Sequence, residues 1–286
     1  MQAFFDLTKI GIVIFVLLTG LAGYALAYDM YSPFDPVVPV LLLVGLYFLS
    51  AGSFTLNQAQ EWEIDKEMPR TADRPIPKGI LRPWQAYAIG IIFVVFGFLV
   101  LFLLRPMTAY LGLATVVMYN GFYTLYWKRK MVFGAVPGAI PGAMPVVIGF
   151  SVAQPNLFVP DMFYLFLIMF LWQMPHFWCL AIKYKEDYAK GGIPTLPVAI
   201  GVPKTLYHIG LYTIVYLGVA LASPIFVQTK YTYFVLILPF SVMVAIEFLR
   251  YFRSDGQKRW LAFFLWTNFS MLAFVIAPVV DKWMHL

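Results

Sequence analysis

Apolar residues in this chain do not alternate with polar ones at the period of a half-buried surface helix or strand. They come in long runs separated by short polar stretches. A helix needs about 20 apolar residues to cross a hydrocarbon core of about 30 Å. Runs of that length lie at 9–28, 36–56, 85–104, 107–126, 132–152, 161–182, 205–226, 231–249 and 260–280. The pattern predicts an all-α, polytopic membrane protein with nine transmembrane helices. No Pro/Ser-rich linker, soluble block or internal repeat interrupts the series, so residues 1–286 read as a single membrane domain.

Composition agrees: 62% of the residues are hydrophobic, where an ordinary soluble domain has about half. The single cysteine, Cys179, excludes an internal disulfide framework and any cysteine-clustered metal site. A net charge of +6 would suggest an acidic partner for a soluble protein, but here its distribution matters more. When the loops are assigned alternately to two sides, Lys and Arg fall 17 on one side, with only Arg105, Lys230 and Lys282 on the other. Excess basic residues mark cytoplasmic loops, so the N-terminus and the long loops are expected in the cytoplasm, and nucleic acid is not implied. The polar lead MQAFFDLTK carries no Arg-rich transit signal, which makes a bacterial plasma (inner) membrane the simplest home. Ala25-Leu26-Ala27 has the form of a signal-peptidase site, but the apolar run before it is longer than a signal h-region, and it reads as an uncleaved first helix.

Two polar stretches stand out, 57–84 and 183–204. In the first, Glu61, Glu63, Asp65, Lys66, Glu67, Arg70, Asp73, Arg74 and Lys78 crowd against the end of the second apolar run. Asn57, Glu61 and Asp65 fall at i, i+4 and i+8, which puts three oxygen donors on one face of a helix continuing from that run. Such a row beside a membrane is costly unless it binds cations, and Mg²⁺ is typically held by one or two carboxylates plus substrate phosphate oxygens. Arg70, Arg74 and Lys78 follow, and would complement phosphate charge. A solvated loop of self-compensating ion pairs is the other reading of the same residues.

The second stretch, 172–197, holds His176, Lys183 and Asp187. His176 and Lys183 are two helical turns apart, so both can face one side, with Asp187 a turn further on. A lone histidine in an apolar helix is more often structural than functional, and His208 and His285 are read that way. The series Gly134, Pro137, Gly138, Pro141, Gly142 and Pro145 must be buried or line a cavity. Close helix packing and a ligand-facing role both fit it.

Asn57-xxx-Glu61-xxx-Asp65 with Met68-Pro69-Arg70-Thr71-xx-Arg74-Pro75, then Pro175-His176-Phe177-Trp178, Lys183-Tyr184-Lys185-Glu186-Asp187-Tyr188 and Ile193-Pro194-x-Leu196-Pro197, resemble the haem O synthase (protohaem IX farnesyltransferase) branch of the UbiA-type intramembrane prenyltransferases. The resemblance runs from about residue 8 to 280 and includes Tyr123-Thr124-Leu125-Tyr126 before Lys128-Arg129. It implies helices around a central cavity, capped on the cytoplasmic side by the two polar stretches. It also implies transfer of a farnesyl group from farnesyl diphosphate to a vinyl group of haem B, with Mg²⁺ as cofactor and haem as substrate. By carry-over, Asn57, Glu61, Asp65 and Asp187 would hold metal, and Arg70, Arg74, Lys128 and Lys183 would hold diphosphate. His176 would ligate the haem iron, act as a base on water, or support other residues. A haem A synthase or terminal-oxidase assembly partner would stand downstream. Two features depart from the wider pattern. Glu61 stands where Asp is usual, which brings Glu63 in as a possible substitute, and His176 and Lys183 stand where the superfamily carries a second Asp-rich motif. A prenyltransferase for a quinone precursor or chlorin, and a haem or ion transporter, are the competing readings.

Overall fold

A computed structural model describes residues 2–285, and among them there is no β-strand. The helices are α1 (Gln2–Thr8), α2 (Ile10–Ala27), α3 (Val37–Glu67), α4 (Pro83–Leu104), α5 (Pro106–Val116), a π-helical segment (Val117–Trp127), α6 (Lys128–Lys130), α7 (Ala135–Ala153), α8 (Pro160–Lys183), α9 (Lys185–Lys190), α10 (Leu196–Ala199), α11 (Val202–Leu221), α12 (Tyr231–Arg253) and α13 (Trp260–Met284). Seven of them, α2, α3, α4, α7, α8, α12 and α13, are long and apolar enough to cross a membrane. The segment 106–130 and α11 are the two further rods on which the predicted count depends.

Proline starts several of these helices. Pro83, Pro106 and Pro160 stand in the first turn, where the missing N–H would have had no intrahelical partner. The helices pack as neighbours, α3 on α4, α2 on α7, α12 on α13 and α8 on both α7 and α11. Contact between α2 and α7 is at backbone distance. A Cβ on Gly149 would overlap the Gly20 carbonyl, and one on Gly23 would overlap the Val146 carbonyl. With lipid outside there is little hydrophobic gain from bringing helices together, so small residues that let backbones touch carry much of the packing. At the far end from these glycines, buried Glu247 on α12 accepts from Arg259 at 2.6 and 3.0 Å and from Arg250 at 2.8 Å, clasping the α12–α13 hairpin.

Two expectations about elements change. The second helix continues to Glu67 instead of ending at 56, because NQAQEWEIDKE contains no glycine or proline and only Pro69 stops it. The stretch expected as a loop from 57 is therefore helix as far as Glu67. The fourth run, expected as one regular helix over 107–126, changes at Val117 from α to π winding. Thr124 Oγ1 donates to the Tyr119 carbonyl at 2.8 Å within that widened turn.

Candidate active site

The extended end of α3 carries Asn57, Glu61 and Asp65 on one buried face, each at most 2% exposed. Glu63, Lys66 and Glu67 on the other faces are exposed, so Glu63 points away from the row it was expected to share. Burying carboxylates this deeply is costly unless each is paired, and every member of the row has a basic partner. Lys9 Nζ donates to Asn57 Oδ1 at 3.0 Å. Lys128 Nζ donates to both oxygens of Glu61 at 2.7 and 2.6 Å. Arg74 Nη1 donates to Asp65 Oδ2 at 2.6 Å, and Asp65 Oδ1 is buried without any partner.

The partners come from three different elements. Lys9 sits between α1 and α2 in the left-handed backbone region, with φ 52°, which turns its side chain toward α3 and places its ammonium 5.3 Å from the Phe54 ring centre. Burial, and then the charge of Arg74, push that ammonium down to about 7. Arg74 folds back from the loop after α3, where Thr71 Oγ1 donates to the Asp65 carbonyl at 2.9 Å. Lys128 follows the π segment, which is fixed to α3 by side-chain amides and hydroxyls. Asn57 Nδ2 donates to Thr124 Oγ1 at 3.1 Å, Ser53 Oγ to Asn120 Oδ1 at 2.7 Å, and Asn120 Nδ2 back to the Ser53 carbonyl at 2.9 Å. Arg129 completes the seam by donating to the carbonyls of Gln60 at 2.7 Å and Thr124 at 3.0 Å.

The two polar stretches meet. Asp187 Oδ2 accepts from the Arg70 backbone N–H at 3.3 Å, and the Arg70 guanidinium lies 5.0 and 4.8 Å from the ring centres of Tyr184 and Tyr188. Met68, Tyr188 and Ile193 bury one another beneath this contact. His176 and Lys183 both turn toward α13, as two-turn spacing requires, but they end in different surroundings. His176 lies between Trp172 and Phe264, with ring centres 4.6 and 4.7 Å away, and borders a cavity. Lys183 is exposed, with its ammonium 5.2 Å from the Trp260 ring centre, and it is not among the groups paired to the α3 row.

A cavity of about 330 Å³ runs between α2, α3, the α5–π rod, α7 and α8; on α3 its lining ends at Ser53 and Phe54, one helical turn before Asn57 and the acidic row. Its walls are mostly apolar or aromatic, with Phe54, Tyr119, Tyr123 and Phe177 toward the charged end and Thr19, Ser50, Thr115, Gln173 and His176 among the polar exceptions. The glycine series in α7 serves it: Gly138 makes room for the Tyr123 ring and Gly142 for the Gln173 amide, which donates to the Ala139 carbonyl at 3.0 Å. Packing and cavity lining are thus the same role for these two residues.

Lys9 and the π-segment residues Asn120 and Thr124 were not among the predicted site residues. Lys9 had looked like an ordinary loop base at the membrane surface, and its distance of 48 positions from Asn57 gave no sign of contact. Tyr123-Thr124 lay within the resembling stretch, and that was the one available signal for the segment.

The donor set can be tested against a divalent cation. Among the described residues, no three His, Cys, Asp or Glu side chains converge closely enough to hold an ion by themselves. The buried, unpartnered Asp65 Oδ1 and the Glu61 carboxylate are hard oxygen donors that suit Mg²⁺ when a substrate's phosphate oxygens supply the remaining positions. The residues fit that shared mode of binding.

An acidic row ringed by bases, one helical turn from the end of an apolar cavity, is what a substrate with an anionic head and a hydrocarbon tail would need. Residues 16–269 match the UbiA prenyltransferase family. The chain belongs to that family. A protein of Bdellovibrio bacteriovorus named protoheme IX farnesyltransferase is 56% identical over 286 residues, covering 100% of this chain and 98% of that protein. An Aquifex aeolicus protein of the same name is 36% identical, covering 90% of this chain and 88% of its own. Among solved structures, a UbiA homologue from Aeropyrum pernix K1 matches with a TM-score of 0.77 at 16% identity, over 94% of this chain and 98% of that one. A UbiA homologue from Archaeoglobus fulgidus bound to GPP and Mg²⁺ matches with a TM-score of 0.67 at 16% identity, over 97% and 99%. At such identities the structural likeness establishes the fold, and this UbiA-family chain is a multi-pass membrane protein with the family's helical architecture.

Proposed function

We infer that the chain transfers the farnesyl group of farnesyl diphosphate to a vinyl group of haem B, giving haem O and releasing diphosphate. The observation that carries this reading is the buried α3 row with its bases, one helical turn from the end of an aromatic-lined cavity, in a chain 56% identical over its whole length to a protein named for that reaction. Asn57, Glu61, Asp65 and Asp187 are the proposed metal side. Arg70, Arg74, Lys128 and Lys183 are the proposed diphosphate side, and Lys9 joins them on its geometry. The Archaeoglobus homologue bound to GPP and Mg²⁺ supports a metal-dependent reaction. When bound, Mg²⁺ would neutralise charge developing on the departing diphosphate.

The rest of the chemistry falls to the chain's own residues. Lys128 and Arg74 exchange their carboxylate partners for phosphate oxygens, stabilising the leaving group as the bond from C1 of the farnesyl chain to oxygen breaks. The faces of Tyr119, Tyr123 and Phe54 line the space where the allylic cation forms, and aromatic faces stabilise a cation without trapping it. Apolar walls keep water from that cation. The electron pair of the haem vinyl group attacks C1, and water then adds to the cation left beside the porphyrin, losing one proton. His176, on the wall shared by α8 and α13, is the acceptor-side polar residue, able to bind iron or hold that water.

The site is placed at the cytoplasmic face of a bacterial inner membrane, with nine spans and the N-terminus inside, on the strength of the distribution of basic loops. Purified protein incubated with Mg²⁺, farnesyl diphosphate and haem B is expected to yield a farnesylated haem by mass spectrometry, with matching diphosphate release. Prenylation of an aromatic quinone precursor with haem left untouched would overturn the acceptor. Binding of haem with no diphosphate release under any condition would overturn the enzyme.

A further inference from the structure

We propose that Leu46, seated on Gly20 beside Pro145, forms the floor of the cavity and limits the prenyl donor to a chain of three isoprene units. This rests on the prenyl diphosphate reading of the site and concerns its depth. The head group is fixed at the level of Lys9 on one wall and Asn57 on another, since these two residues touch. Beyond that level the cavity is lined along α2 from Ile12 to Thr19 and along α3 from Phe54 to Leu46. Ten residues from Lys9 to Thr19, and eleven from Asn57 to Leu46, correspond to about 15 and about 16 Å at the rise of an α-helix.

Several contacts close the space at that depth. A Cβ on Gly20 would overlap the Leu46 side chain and would lie 3.4 Å from the Pro145 carbonyl oxygen, so Leu46 fills the notch that Gly20 leaves beside α7. Leu46 is 1% exposed. Further along, α2 and α7 meet backbone to backbone at Gly20–Gly149 and Gly23–Val146, which leaves no passage between them. On the α5 side, a Cβ on Gly112 would come within 2.8 Å of Leu49, the next α3 side chain of this wall.

The length can be compared with the ligand. From the bridging oxygen to its last main-chain carbon, a farnesyl group has about twelve bonds, and an extended chain advances about 3.5 Å per three bonds, giving about 14 Å. That fits the distance of about 15 to 16 Å between the level of the head group and the floor at Leu46 and Thr19. One isoprene unit more adds about 5 Å and meets Leu46, and one unit fewer leaves the floor unfilled. Both mismatches cost binding, since an unfilled apolar pocket loses contacts and an overfilled one must deform its walls.

The test uses purified full-length protein with Mg²⁺ and the C10, C15 and C20 prenyl diphosphates. It measures displacement of bound labelled farnesyl diphosphate without acceptor, and kcat/KM with haem B. Wild-type protein is expected to rank C15 first. Leu46→Ala should raise the C20-to-C15 ratio by roughly tenfold or more, the scale on which a hydrophobic pocket discriminates by size. Thr19→Leu, which fills the floor from α2, should lower the C15-to-C10 ratio by a similar factor. The proposal is overturned if both variants fold, as judged by their thermal transitions, and keep wild-type ratios, or if wild-type protein binds the three chains equally. Failure of the wild type to bind any of them overturns the prenyl diphosphate reading as well. Normal binding with haem left unreacted overturns the acceptor alone, and the floor is then judged on the displacement data.

Discussion

Glu61 and Lys128 show how the same contact can be a structural pair and a poised catalytic group. The carboxylate is 2% exposed and the ammonium bonds to both of its oxygens. Removing one partner of a buried pair leaves a charge in a low-dielectric site and typically costs about 3–5 kcal/mol, whereas replacing both is often close to neutral. Lys128→Met is therefore expected to lower the thermal unfolding midpoint in detergent, and Glu61→Gln with Lys128→Met to recover most of the loss. Farnesyl transfer should fall by at least about 100-fold in both proteins, a loss of about 3 kcal/mol of transition-state stabilisation. A double variant that regains activity along with stability would reduce the pair to a structural role. Asp65→Asn gives a cleaner charge test, because its amide oxygen can still accept from Arg74 while Oδ1, the atom without a partner, is replaced or neutralised. Activity is expected to be lost with a smaller fall in unfolding temperature than Lys128→Met shows, because Arg74 keeps its hydrogen bond and is 25% exposed to solvent that can screen its charge, as measured by diphosphate release and circular dichroism. Glu61 and Asp65 were legible because a one-face spacing of i, i+4, i+8 needs only helix geometry, whereas Lys128 was reached only through the family resemblance. Lys9 was not, because its role depends on a left-handed backbone turn and on the packing of α2 against α3, neither of which has a local sequence signal.

The element that most separates sequence from structure is the π segment Val117–Trp127. Its residues, VMYNGFYTLYW, read as a continuation of an apolar helix, and nothing in their spacing marks a change of winding. The cause lies in partners far along the chain: Asn120 exchanges hydrogen bonds with Ser53, and Thr124 accepts from Asn57. A wider turn lets Asn120 and Thr124 both reach α3, and it sets the direction of Lys128 just beyond. Short π segments occur frequently at functional sites. Thr124→Val keeps the shape but removes the acceptor for Asn57 Nδ2 and the donor to the Tyr119 carbonyl. Leaving a buried amide hydrogen unpaired costs about 1–3 kcal/mol. The variant is expected to lose stability by that amount and turnover by roughly tenfold or more, with Thr124→Ser restoring both. If Thr124→Val loses stability but keeps full turnover, the segment does not orient the site. By contrast, the extension of α3 to Glu67 was half legible: the one-face spacing needed a continuing helix, while the end of the apolar run at 56 argued for a loop. Hydropathy marks where a helix leaves the bilayer, and capping and proline mark where it ends.

At the scale of the whole molecule, the arrangement makes sense only if the charged end of the bundle faces one aqueous compartment. The belt between the two ends is covered by exposed apolar side chains such as Ile91, Leu99, Leu103, Val215 and Val235, which suits contact with lipid. Nine crossings would put Tyr31, Phe158 and Gln228 on one side, and Glu67, Lys190 and Gln257 on the other. All six positions are exposed in connections or at helix ends. Seven crossings, without the 106–130 rod and α11, would break this alternation. Pairing Phe158 with Gln228, with Lys190 between them on the opposite side, requires that α8 and α11 both cross. A background free of native thiol is available because Cys179 is the single cysteine and is buried, with its sulfur 3.6 Å from the Trp260 carbonyl oxygen. In Cys179→Ala protein carrying one new cysteine at a time, a membrane-impermeant maleimide added to intact spheroplasts is expected to label Tyr31→Cys, Phe158→Cys and Gln228→Cys. Inverted vesicles should label Glu67→Cys, Lys190→Cys and Gln257→Cys. The reverse pattern would turn the molecule over and place the site outside the cytoplasm. Labelling of Phe158→Cys and Gln228→Cys from opposite sides would remove one of the two crossings between them. The expected pattern puts the α3 row on the side where Mg²⁺ and a diphosphate substrate would be supplied.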